Sequence, residues 1–82
     1  MVNIEFGHSF EKTFKKISNL AVKDHLKKQI QKIIENPEVG KPMRYGRKGT
    51  RELYVVPYRL SYAWIKDEDK IVFLDLYHKD FQ

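Results

Sequence analysis

Asn36-Pro37 divides this chain of 82 residues into two parts with different hydrophobic periods. The residue before a proline is pushed out of the helical region, so any helix reaching Asn36 must stop there. On the N-terminal side Val22, Leu26, Ile30, Ile33 and Ile34 recur at helical spacing, and Lys23, Lys27, Lys28 and Lys32 occupy the other faces. Phe10, Phe14 and Ile17 repeat the same period in a shorter segment that Ser9 can cap. The tripeptide SNL at 18–20 joins the two helices. Ahead of them Val2, Ile4 and Phe6 alternate with polar residues, which predicts a short strand ended by Gly7.

Beyond Pro37 the helical period is gone. Pro37, Gly40, Pro42, Gly46 and Gly49 punctuate a loop over 37–50. Three extended segments follow at about 51–56, 58–65 and 70–77. Pro57 falls between the first two, where a turn or sheet edge tolerates it, and KDEDK at 66–70 is a polar hairpin loop. The order β-α-α-β-β-β predicts an α+β two-layer sandwich, with two N-terminal helices packed on a mainly antiparallel four-stranded sheet. Residues 1–82 are expected to form a single domain, because so short a chain cannot build a second core.

The chain carries 16 Lys and Arg against 11 Asp and Glu, a formal charge of +5, which favours a polyanionic partner such as nucleic acid, the ribosome or an acidic protein. It has no Cys, so neither a disulfide nor a thiolate metal site can brace it. No apolar run approaches membrane-spanning length and the N-terminus lacks the apolar core of a signal peptide. A cytoplasmic protein that uses no membrane is therefore expected. HExxH and HxxxH spacings, a phosphate-binding glycine loop and a GxSxG elbow are all missing, so no metal and no cofactor is expected.

The charge is concentrated. Lys41 to Arg51 contains five cationic side chains and no acidic one, and Arg59 then stands inside an otherwise apolar strand. Uniform alternation puts Tyr58, Leu60, Tyr62 and Trp64 under the helices and turns Arg59 to the opposite, open face. The same alternation groups Val72, Leu74 and Leu76 on one face and Phe73, Asp75 and Tyr77 on the other. An unpaired buried guanidinium costs several kcal/mol, so Arg59 is expected to be paired (Asp75 is the nearest candidate across the sheet), hydrated, or set to receive an anion. Arg44, Arg47, Lys48 and Arg51 are either solvated loop charge or contacts for a phosphate backbone. Tyr45 and Tyr54, interleaved with them, suit stacking on single-stranded RNA. His78 and Lys79 follow the last strand, and histidine is the side chain best suited to move a proton near neutral pH.

The stretch KPMRYGRKGTRELYVVPYRLSYAWIKDEDKIVFLDLYHKD resembles the RelE/ParE toxin superfamily of type II toxin–antitoxin modules, and the resemblance covers essentially the whole chain. YR followed by an aromatic in the middle strand, and the closing HK, are its most specific elements. Members similar to RelE are metal-independent mRNA endoribonucleases that inhibit translation through attack of a 2′-hydroxyl on the adjacent phosphate. The resemblance implies catalytic roles for Arg59, His78 and Lys79, with Arg59 stabilising the transition state. It implies RNA contacts from Lys48 and Arg51 as the cations that lead into the second strand. The family pattern often continues to a tyrosine; here the last aromatic is Phe81, which leaves Tyr54 or Tyr77 for that task. The partners implied are an acidic antitoxin, mRNA and the ribosome, with no DNA-binding module in the chain itself. Two alternatives stand beside this reading. One is a ParE-like inhibitor of DNA gyrase; the other is a non-catalytic RNA- or ribosome-binding protein or degenerate toxin.

Overall fold

A computed structural model describes residues 2–42 and 49–78. Strand β1 spans Asn3–Phe6, helix α1 His8–Lys16, helix α2 Leu20–Glu35, and strands β2 to β5 span Lys41–Pro42, Thr50–Val55, Tyr58–Ile65 and Lys70–His78. The two-layer α+β arrangement is as expected, but the sheet has five strands rather than four, in the order β1-β5-β4-β3-β2. The extra strand is the two-residue β2, antiparallel to β3, with Lys41 opposite Glu52 and Pro42 opposite Arg51. Strand β1 runs parallel to β5, and the other neighbouring pairs are antiparallel. No helix among the described residues is long and apolar enough to cross a membrane.

The helices begin and end for local reasons. Asn19 caps α2: its Oδ1 accepts hydrogen bonds from the backbone of Ala21 (2.9 Å) and Val22 (3.2 Å). Helix α1 starts two residues earlier than a Ser9 cap would allow, after Gly7 and without a side-chain cap. At the far end of α2 the chain leaves the helix at Asn36, as the following proline requires.

Leu26 and Ile33 of α2 and Phe10 of α1 are buried against Val55, Leu60, Tyr62, Ile71, Phe73 and Leu76 of the sheet. Phe6, Phe10, Phe14 and Phe73 form an aromatic row, with ring centroids 5.2–5.8 Å apart. Phe73 therefore faces the helices, contrary to uniform alternation along β5. The cause is a bulge: Tyr62 lies opposite Phe73 but Ser61 lies opposite Asp75, so Leu74 is an extra residue and the inward set changes from Ile71 and Phe73 to Leu76.

The segment after α2 is fastened to the sheet by polar groups. Tyr62, fully buried, donates its hydroxyl to the Pro37 carbonyl (2.7 Å) and accepts from the Gly40 N–H (2.9 Å). Burial pushes the Tyr62 phenol above its ordinary range, and the Gly40 N–H and Arg51 pull weakly the other way. Gly40 is there because of closeness: a Cβ on it would stand 2.7 Å from the Tyr62 hydroxyl and 3.0 Å from the Glu52 carbonyl.

Candidate nucleic-acid interface

The hairpin of β3 and β4 sets the site. Val55 pairs with Tyr58 and Tyr54 with Arg59, and the register continues to Glu52 opposite Ser61. Residues directly opposite in an antiparallel pair share a face. Leu53, Val55 and Leu60 pack inward, so Glu52, Tyr54, Arg59 and Ser61 turn away from the helices. Past the bulge β5 adds Tyr77 opposite Arg59 and Asp75 opposite Ser61. Arg59 thus lies on the open face, as alternation predicts, in the middle of three strands.

Its surroundings are specific. Arg59 Nη1 is 3.4 Å from Glu52 Oε1, and the guanidinium carbon lies 5.8 Å from the centroid of the Tyr54 ring. Tyr77 donates its hydroxyl to Glu52 Oε2 at 2.5 Å. Arg59 Nε is buried and has no hydrogen-bond partner among the described residues. The Arg59 side chain is 32% exposed and that of Glu52 25%, while Tyr54 is 46% exposed. Glu52, Tyr54 and Arg59, with Val39, Lys41 and Leu53, line a cleft of about 370 Å³. Burial, followed by the hydrogen bond and charge of Glu52, raises the pKa of the Tyr77 phenol, and Arg59 opposes this in part. A guanidinium with spare donor capacity beside a protonated phenol can bind an oxyanion and supply it with a proton.

Arg59 is paired, but with Glu52 rather than with Asp75, whose Oδ1 accepts from the Leu76 backbone at 2.8 Å. His78 is not brought to Arg59. It lies opposite Tyr58 and meets that ring edge-on at 5.6 Å, on the side of β4 that packs toward the core. Consecutive residues of a strand face opposite ways, so Tyr77 takes the place beside Arg59 that was expected of His78.

Arg51 also departs from expectation as an RNA contact. It lies opposite Tyr62 and donates Nη1 to the carbonyls of Glu38 (3.1 Å) and Gly40 (2.8 Å), with the Glu38 carboxylate 3.7 Å away. It ties down the segment after α2. Arg44, Tyr45, Arg47, Lys48, Lys79 and Phe81 fall outside the described residues. Glu52 was missed by the sequence reading. The signal was present, since a turn at Val56-Pro57 places residues 52, 54 and 59 on one face.

Comparison with known proteins agrees with this architecture. Residues 4–82 match the family described as ParE toxin of type II toxin–antitoxin system, parDE. The toxin–antitoxin complex RelBE of E. coli contains a chain that superposes with a TM-score of 0.81 at 19% identity, over 95% of this chain and 96% of that one. The RelBE2 complex of Mycobacterium tuberculosis gives a TM-score of 0.78 at 22% identity, over 95% and 98%. YafQ of E. coli strain BL21(DE3) gives 0.70 at 25% identity, over 98% and 96%. No curated protein sequence matches the chain. With nearly its full length matched, the chain belongs to the ParE toxin family of type II toxin–antitoxin systems, within the RelE/ParE superfamily.

Proposed function

We propose that this toxin is a RelE-like mRNA endoribonuclease whose reaction centre is the open face around Arg59. The observation that carries the reading is Arg59 on the open face: it lines a cleft beside the exposed Tyr54 ring, and its Nε has no hydrogen-bond partner among the described residues. A phosphate seated on Arg59 would meet charge-assisted donors, and a base stacked on Tyr54 would hold the adjoining ribose in place. The 2′-hydroxyl gives up its proton to solvent water as its oxygen attacks phosphorus, the bond to the 5′-oxygen breaks, and a cyclic 2′,3′-phosphate forms. Arg59 counters the charge that grows on the non-bridging oxygens. Tyr77, which holds its proton firmly, is the acid on this face able to protonate the departing 5′-oxygen. Lys79 and the loop cations Arg44, Arg47 and Lys48 are proposed to follow the RNA backbone.

The structural likeness to RelE and YafQ supports this reading, and the two RelBE complexes support a co-expressed antitoxin as partner. An acidic antitoxin segment, mRNA and the ribosome in a cytoplasmic setting remain the proposed partners. The test is to map RNA 5′ ends after brief induction of the wild type and of Arg59→Ala. New ends are expected with the wild type, and at least 100-fold fewer with the variant, roughly the effect of removing one transition-state donor. Equal cleavage by both would refute the assignment.

A second reading is favoured by the family description itself, which is that of ParE: inhibition of DNA gyrase. It predicts blocked supercoiling by purified protein, intact message, and indifference to Arg59→Ala.

A further inference from the structure

The donors that would hold a phosphate on the open face already hold a carboxylate. Glu52 stands between Arg59 and Tyr77, with Oε1 toward the guanidinium and Oε2 accepting from the phenol. A carboxylate and a phosphate edge offer the same pair of acceptor oxygens, so both fit one set of donors. The two contacts are unequal: 2.5 Å to Tyr77 and 3.4 Å to Arg59. The phenol holds Glu52, and the guanidinium is only loosely engaged, its Nε without a partner among the described residues.

A displaced carboxylate needs another cation. Lys41 lies directly opposite Glu52 on β2, is exposed, and lines the same cleft. Residues opposite in an antiparallel ladder approach closely enough for an ion pair across the strands.

We propose that Glu52 is a built-in anion that plugs the phosphate position of the Arg59–Tyr77 site, and that a phosphate enters by displacing it toward Lys41. The inference rests on the reading that this face receives a phosphate, and it adds a regulation to it. The plug neutralises Arg59 and occupies Tyr77 while no ligand is present, so stray small anions bind poorly. A polynucleotide that also stacks on Tyr54 gains enough additional binding to open the site. Glu52 is in this sense a specificity-determining residue.

The test is calorimetric titration of the purified full chain with inorganic phosphate and, separately, with a short single-stranded RNA. Glu52→Gln keeps the shape and an acceptor for Tyr77 but has no charge to compete with phosphate. It should bind phosphate at least tenfold more tightly than the wild type. Glu52→Ala should show the same gain, so misfolding of one variant leaves the other available. Adding Arg59→Ala to Glu52→Gln should abolish the gain.

Asp75→Asn separates plugging from bulk charge. Asp75 is a carboxylate on the same face, opposite Ser61. Its loss should change phosphate affinity less than twofold. Equal gains from Asp75→Asn and Glu52→Gln, or no gain from either Glu52 variant, would overturn the proposal. A wild type that cleaves no RNA while Glu52→Gln gains phosphate affinity upholds the plug and removes the nuclease reading. Cleavage by the wild type with unchanged phosphate affinity in both Glu52 variants does the reverse.

Discussion

Replacing Tyr62 by phenylalanine removes one oxygen from a side chain with no exposed surface, and it strands two backbone groups. The N–H of Gly40, itself buried, loses its acceptor, while the carbonyl lost as a partner belongs to the half-buried Pro37. A buried donor left without a partner costs about 1–3 kcal/mol, and a carbonyl that reaches solvent costs much less. The ring keeps its packing against Phe73, so no cavity term is added. The expected loss is about 2 kcal/mol, which for a domain of this size lowers Tm by roughly 8–16 °C. Arg51 still binds the carbonyls of Glu38 and Gly40, so the segment after α2 stays attached and the fold survives. Urea unfolding followed by far-UV circular dichroism should show a lower midpoint with an unchanged slope. A loss below about 0.5 kcal/mol would mean that the Gly40 N–H finds another acceptor, and would refute the view that this hydroxyl fastens the segment to the sheet.

Gly40→Ala tests the same contact from the other side. Its Cβ would displace the Tyr62 hydroxyl, so thermal unfolding should show a loss of at least the Tyr62→Phe size. Phe73→Ala removes the ring that joins the aromatic row to the sheet; a cost of about 3–5 kcal/mol is expected, enough in so small a domain to leave much of the chain unfolded at 37 °C by circular dichroism. The phenols of Tyr62 and Tyr77 both have pKa values raised above the ordinary 10.0 in the folded state. A raised value means that the folded chain holds the proton more tightly. The stability it brings is complete below about pH 10 and is lost as the pH rises through the folded value. Unfolding free energies measured from about pH 9 to about pH 11.5 should therefore fall, and fall less steeply in Tyr77→Phe.

The helical half was legible because its signals are local. A 3.6-residue period, an Asn cap and a proline stop need no knowledge of the rest of the molecule. Tyr62 and Leu60 could be placed inside, and Arg59 outside, because β4 keeps an unbroken register with β3. Strand β5 does not. Leu74 is apolar and looks like any core residue, so nothing in FLDLYH marks it as the additional one, and uniform alternation sent Phe73 to the wrong side. The short strand β2 was hidden by its proline and by its length of two residues. Arg51 and Arg59 look alike in a linear sequence. One serves carbonyls behind the sheet and the other the open face, a difference set by strand parity and by where the chain leaves α2. Glu52 was obscured by attention to cations, although an arginine in a strand calls for a carboxylate across the hairpin; Tyr77 was named as a candidate, but not as the neighbour of Arg59.

The dislocation at Leu74 limits where the last strand can change length. Removing that one residue would join Phe73 to Asp75 and leave every facing pair on either side of the gap intact. Removing Tyr77 instead, with the dislocation kept so that Leu76 stays inside, would draw the tail back by a step. An imidazole would then replace the phenol next to the guanidinium. A single codon thus separates a tyrosine-bearing from a histidine-bearing version of this surface, on an otherwise unaltered scaffold.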